Sequence, residues 1–406
     1  MRTGLGAVIA GGLLVLGRPG LGAEVGPGSD WCQALRVLPS GEELVLQPGD
    51  YTGPCTVTRG GVPGAPLVIR AKDPAHRPRI IYPDRATNVL NIRASHVLVR
   101  GLEFGLTQPD VDAIRIHSGN DITIEDCRFV ELGSIAVVAN SQSIRGLTVR
   151  RNEILRSKAT AMYFGCQDGL ACVLSELLVE RNYIDSVTAT DPEVGYGIQV
   201  KLNSTGTIAD NVIVDTKGPG IMVYGARDPS LISVVERNFV SGARTSSAIV
   251  IGGGPVVLRN NITTDSADAG IGLEDYGRRG LLRGIVLSHN TLYGNRQGGI
   301  AVPPEGRLDA KLLNNAVHAV SGTPALPLVR IGVMSLGNAT CTWVPCFVAP
   351  DQRDFSLLEP RPALIVNEAW AVSDDYHGQS RGPLPNVGAV EHPSGPIPLG
   401  IKRRQP

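Results

Sequence analysis

Through the middle of the chain, apolar and polar positions alternate in twos and not in threes and fours. Six segments carry the pattern: Ala113-Ile114-Arg115-Ile116, Gly197-Ile198-Gln199-Val200, Gly220-Ile221-Met222-Val223, Ala248-Ile249-Val250-Ile251, Gly270-Ile271-Gly272-Leu273 and Gly299-Ile300-Ala301-Val302. A period of two predicts short strands with one face buried. Between them recurs a charged or polar pair followed by Asn: Asn152, Asn182, Asn211, Asn238, Asn261, Asn290 and Asn315, with Cys127 in the same place one repeat earlier. The steps are 25, 30, 29, 27, 23, 29 and 25 residues. Val99-Arg100-Gly101-Leu102-Glu103-Phe104 is a weaker copy upstream.

Two or three short strands per repeat, with turns and no helical period, predict one coil of a parallel β-helix. A leucine-rich repeat shares the period but needs a Leu-x-x-Leu-x-Leu frame, which is missing. In a coil stack the recurrent Asn belongs at a tight bend, where amides hydrogen-bond from coil to coil. The column is therefore read as structural, and Cys127 as a buried free thiol replacing one amide. The expected organisation is a cap with the first coils over 24–87, about nine coils over 88–331, and an irregular closing segment over 332–406. Capping is needed because an open coil end is an unpaired sheet edge.

Composition supports turns over helices: 49 glycines and 29 prolines make up about a fifth of the 406 residues, against roughly an eighth in average proteins. The 38 basic and 38 acidic residues balance, which argues against a nucleic-acid binder held by phosphate neutralisation. A hydrophobic content of 42% excludes wholesale disorder. Residues 1–23 carry Arg2, an apolar run from Leu5 to Leu16 and a small-residue end at Gly22-Ala23. This predicts an export signal, hence a secreted or periplasmic monomer with no membrane span once the signal is removed. In an exported chain the seven cysteines predict disulfides, and their positions give the local pairs Cys32–Cys55, Cys166–Cys172 and Cys341–Cys346.

These features together resemble the right-handed parallel β-helix proteins of the pectate-lyase-like superfamily. Trp31-Cys32-Gln33-Ala34-Leu35 and Leu44-Val45-Leu46-Gln47-Pro48-Gly49-Asp50-Tyr51 look like the cap and first coil of exported members. Asp354-Phe355-Ser356-Leu357 and Val387-Gly388-Ala389-Val390-Glu391 look like their closing tail. The resemblance implies a substrate lying along the outward face of one sheet. Aligned strands give one outward column of Arg115, Tyr163, Gln199, Met222, Val250, Gly272 and Ala301. The second reads His117, Gly165, Lys201, Tyr224, Gly252, Glu274 and Pro303.

Glycoside hydrolysis asks for two facing carboxylates, which the central rungs do not offer. Elimination beside a uronate carboxylate asks for a base and for positive charge on the intermediate. Lys201, Tyr224 and Arg227 are the candidate catalytic residues: Lys201 takes the proton, Tyr224 gives one to the leaving oxygen, and Arg227 pairs with the carboxylate and lowers the Lys201 pKa. Arg115, His117, Tyr163, Gln199 and Glu193 are candidate substrate contacts. Insertions from Gly165 to Ser175 and Val187 to Gly195 precede the Lys201 rung, as groove walls would. No cofactor is expected; calcium, common in pectate lyases, has one weak candidate in Asp265, Asp268, Glu274 and Asp275, whose spacing is not an EF-hand. The competing reading is a non-catalytic binding or structural coil stack of the cell envelope or exterior.

Overall fold

The computed structural model describes residues 22–402 except 192, 321, 328–329, 342–345, 365–370, 392 and 394. The export signal expected over 1–23 lies outside the described residues except for its last two. The fold is an all-β, right-handed parallel solenoid of about 13 turns, built from three parallel sheets. The first sheet has 13 strands, from Ala23–Val25 to Val333–Leu336; the second has 12, from Asp50–Thr52 to Ala339–Thr340; the third has 10, from Cys55–Val57 to Ile300–Ala301. Each coil visits them in that order, as in Ile122–Glu125, Arg128–Leu132 and Val137–Ala139.

A single residue in the left-handed region makes the sharp corner between the first and second sheets. Asp126, Arg151, Arg181, Asp210, Arg237, Asn260, His289 and Asn314 all have φ between 53° and 58°. Each costs roughly 1–2 kcal/mol for an L-residue, so the corner needs compensation, and the following Asn supplies it. Asn182 Oδ1 accepts the Asn152 main-chain N–H at 3.0 Å and its side-chain Nδ2–H at 3.0 Å, while Asn182 Nδ2 donates to Val149 O at 2.9 Å. The same bonds link Asn211, Asn238, Asn261, Asn290 and Asn315. The ladder runs one rung further than the sequence pattern suggests: Asn338 Oδ1 accepts from Asn315 at 2.8 Å. Cys127 heads it, its N–H donated to Asn152 Oδ1 at 2.9 Å, and its buried thiol is free.

The interior between the sheets is filled by stacked apolar side chains such as Ile122, Ile124, Phe129 and Val137, none of them exposed; Phe104 and Phe129 stack at 5.3 Å. One short helix, Trp31–Val37, covers the first coils. Asp30 caps it by accepting the Gln33 N–H at 2.8 Å, and Trp31 Nε1 donates to Thr52 O at 2.9 Å. The disulfides are Cys32–Cys55, Cys166–Cys172 and Cys341–Cys346. No helix among the described residues is long and apolar enough to cross a membrane.

The closing segment lies along the outside of the second sheet. Phe355, Tyr376, Val387 and Ile397 pack on Val212, Phe239, Ile262 and Ala316. Buried polar contacts hold it there: Arg381 pairs with Glu391 at 2.8 Å and donates to Asn260 Oδ1 at 2.9 Å, and Lys402 pairs with Asp210 at 2.8 Å. This part of the second sheet is thereby covered, and the outward residues Gln199, Met222 and Val250 of the third sheet are buried as well.

Candidate functional site

The register of the third sheet places Tyr163, Gln199, Met222 and Val250 in one outward column. Phe164, Val200 and Val223 are likewise aligned, so Gly165, Lys201 and Tyr224 follow one another just beyond the strand ends. One rung is absent from the columns read off the sequence. Val137–Ala139 pairs with both Ile114–Ser118 and Met162–Phe164, putting Val138 between Arg115 and Tyr163. At ~4.8 Å per rung, Arg115 and Gln199 are three rungs apart and do not share one contact patch.

Lys201 is 4% exposed, and its Nζ lies 4.9 Å from the Tyr163 ring centroid and 4.5 Å from that of Tyr224. Burial is the main reason its pKa falls to about 8, with the Arg279 charge second. Gln199 Nε2 donates to Tyr224 Oη at 3.1 Å, and Tyr196 Oη stands 3.5 Å from the same oxygen. Burial, then Tyr196, raises the Tyr224 pKa well above a free phenol, so it stays protonated. Burial also lifts Tyr163 to about 12.

Two glycines make the room. A Cβ on Gly165 would come within 3.1 Å of Lys201 Cβ and 2.3 Å of Ser204 Oγ; one on Gly252 would press on Tyr276 Cβ at 3.3 Å. Tyr276 uses that space to close over the cluster, edge-on to Tyr224 at 4.7 Å. It belongs to the loop after Ile271–Leu273, which also brings Arg279 to within 5.2 Å of the Tyr276 ring centroid and Leu281 against Leu202 and Met222. Arg279 Nη1 is buried without a hydrogen-bond partner among the described residues.

Tyr196, Tyr276 and Arg279 were missed in the sequence because column counting follows strands, and these side chains return from connecting loops. The aromatic-basic run Tyr276-Gly277-Arg278-Arg279 is the signal that could have found the last two. The two insertions do flank the cluster: Asn203 Nδ2 donates to Gly169 O at 2.7 Å, and Lys217 pairs with Asp191 at 2.5 Å. Glu193 is exposed, accepts Lys217 Nζ on its carbonyl at 2.7 Å, and its charge reaches Tyr163 and Tyr196.

Of three further expected residues, Arg115 and His117 have side chains engaged elsewhere, and Arg227 is held through its main chain. Arg227 is exposed, its N–H donated to Asn203 Oδ1 at 2.9 Å and its carbonyl taken by Arg283 at 2.7 Å; the cation acting on Lys201 is Arg279, not Arg227. Arg115 is held by Asp112 at 3.0 Å and Asn140 at 3.1 Å. His117 faces Asn91 Oδ1 at 2.9 Å, and burial followed by Arg93 and Arg115 lowers its pKa.

Three of the four acidic residues weighed for calcium accept hydrogen bonds from the protein. Asp265 accepts from Thr264 at 2.6 Å, Asp268 from Gln297 at 2.7 Å and Asp275 from the Gly280 N–H at 2.9 Å. Among the described residues no group of three or more His, Cys, Asp or Glu side chains is placed to hold a metal ion.

A stack of coils with an Asn ladder and a polar cluster outside one sheet defines a right-handed β-helix protein. The chain belongs to the family described as "right handed beta helix region", which matches residues 112–279 and 175–324. Among solved structures, a pectate lyase, Pel9A, is similar at 14% identity and a TM-score of 0.51, covering 88% of this chain and 90% of its own. An alginate lyase from Paenibacillus sp. FPU-7 follows at 13% identity and a TM-score of 0.44, over 70% of this chain and 96% of its own. A family 6 polysaccharide lyase from Pseudopedobacter saltans gives 12% and 0.42, over 86% and 99%. A search of curated proteins found no match.

Proposed function

We propose that this is an exported protein that binds an acidic polysaccharide on the third sheet and cleaves it by β-elimination. The observation that carries the reading is the Lys201 ammonium, buried between Tyr163 and Tyr224 on an outward column with no carboxylate paired to it among the described residues. A lysine with a pKa near 8 is a competent base near neutral pH. In this scheme Lys201 Nζ takes the proton beside the uronate carboxylate, and the electron pair left behind forms the new C=C bond. The glycosidic C–O bond breaks and Tyr224 Oη–H protonates the leaving oxygen. Arg279, with a free N–H, stands where it could pair with the substrate carboxylate. Tyr276 must swing aside first. The pectate lyase of shared fold makes pectate the first polymer to try.

The test is a screen of pectate, alginate and other uronate polymers for unsaturated products absorbing near 235 nm, with Lys201→Ala beside the wild type. Product from the wild type and none from the variant supports the reading; equal turnover removes Lys201 from it. A second reading is favoured by the 4% exposure of Lys201 and the Tyr163 and Tyr224 rings against it. Here the cluster is a packed cation–aromatic plug in a non-catalytic binding or structural protein, and the wild type turns over no uronate polymer.

A further inference from the structure

A groove lies on a different sheet from Lys201. It has a volume of about 240 Å³ and sits over the first-sheet strands Val97–Arg100 and Ile122–Glu125. That is below the ~300–1,000 Å³ typical of pockets for drug-sized ligands and suits a single sugar ring. Leu98 pairs with Thr123, and Arg100 with Glu125, so the outward side chains fall into three rows. His96 and Asp121 form the first, Leu98 and Thr123 the second, and Arg100, Glu125 and Arg150 of the next coil the third. Val62 and Pro66 stand beside them as a wall, on a turn closed by the pairing of Val62 with Ala65.

The third row has positive charge to spare. The Glu125 side chain is fully buried and accepts from Arg100 Nε at 2.5 Å, Arg150 Nε at 2.6 Å and Arg151 Nη2 at 2.9 Å. Burial raises the Glu125 pKa, but the bonds from Arg150 and Arg100 outweigh it and hold it below the ordinary carboxylate value. Arg151 is also held by Asp126 at 2.8 Å, so within the row one carboxylate, Glu125, serves the two guanidinium groups of Arg100 and Arg150. Arg100 and Arg150 remain 47% and 35% exposed at the groove. The next acid along, Glu180, is 4.0 Å from Arg150. At the other end His96 and Asp121 are 3.4 Å apart and present both donors and acceptors.

We propose that this groove binds one hexuronate unit, with its carboxylate on Arg100 and Arg150, its ring over Leu98 and Thr123, and its hydroxyls toward His96 and Asp121. The lining runs from cationic through apolar to mixed polar, and a hexuronate runs from carboxylate through ring to hydroxyls in the same order. The site is independent of the Lys201 chemistry. The experiment therefore titrates D-glucuronate into Lys201→Ala protein by calorimetry at low salt, with D-glucose as the neutral control. Saturable glucuronate binding is expected, weakened about tenfold in an added Arg100→Gln, the size of one lost charge-assisted hydrogen bond. Arg100→Gln disturbs the Glu125 network, so Val62→Glu is the companion. It brings negative charge to an exposed wall residue without touching that network, and should weaken binding similarly. Absence of saturable binding, equal affinity for glucose, or unchanged affinity in both variants would overturn the proposal.

Discussion

Lys201 Nζ stands 4.5 Å above the centre of the Tyr224 ring, and the Tyr224 hydroxyl is itself held by Gln199. The two residues lie on successive rungs of one column, so the spacing of the sheet brings them together. The rings return only part of the hydration the ammonium loses on burial. A cation–π contact is worth ~0.5–2 kcal/mol, and burial prevails, as the lowered pKa of Lys201 records.

That imbalance gives stability a pH dependence. Lys201 has a folded pKa of about 8 against an ordinary 10.5. As pH falls from 10.5 towards 8, the unfolded chain takes up the proton first, so this group lowers stability across that window and adds no further change below it. Lys402 acts in the same direction and remains in either protein. Urea unfolding at pH 7.5 and 10 should show a smaller gain at the higher pH for Lys201→Met than for wild type; equal gains would place the titration elsewhere.

Should the wild type cleave a uronate polymer, kcat/KM should rise with pH through an apparent pKa near 8, where Lys201 loses its proton. A profile falling over that range would exclude Lys201 as the base.

Removing one amide from the ladder should be costly. Asn211→Ala leaves the Asn182 N–H and the Val179 carbonyl without their partners in a buried column. At about 1–3 kcal/mol per orphaned group, the loss should be on the order of 2–5 kcal/mol. A denaturant midpoint unmoved by the change would show that the corners hold without the amides.

Cys127 offers the converse substitution. It heads the amide column, its thiol is buried, and burial pushes the thiol pKa up to about 12. A thiol reagent should find no accessible group in the native protein. Cys127→Asn should fold with stability within about 1 kcal/mol of wild type, since a new amide hydrogen bond offsets the added volume. Loss of folding would show that the first rung has no room for an amide.

Tyr276 covers the cluster from a loop and is itself 36% exposed. Tyr276→Ala should uncover the Lys201 amine at little cost in stability. Mass spectrometry after brief acylation at pH 8 should find Lys201 modified in the variant and protected in the wild type. Equal protection would mean that Tyr163 and Tyr196 suffice to shield it.

The architecture was legible because every coil repeats the same local problem. Period-two alternation marks which side chains go inside, and an Asn after each left-handed corner marks where the chain must turn. Both signals are local and recur often enough to outweigh exceptions such as Cys127. The cysteine pairs were legible for a related reason, since the partners lie 23, 6 and 5 residues apart. The Val137–Ala139 rung went unread because Val138 is apolar like its inward neighbours, and burial on both faces erases the alternation. What gathers around Lys201 was decided by tertiary structure alone. Tyr276 and Arg279 reach it from a loop more than 70 residues further along the chain. Gly165 and Gly252 matter through the side chains that fill the space they leave. Arg115 and His117 have the residue types the chemistry asks for, yet Asp112 and Asn91 engage them first, and Arg227 is exposed while Arg279 is the cation acting on Lys201. A repeating backbone determines which residues face outward, and only packing among the loops decides which of them meet.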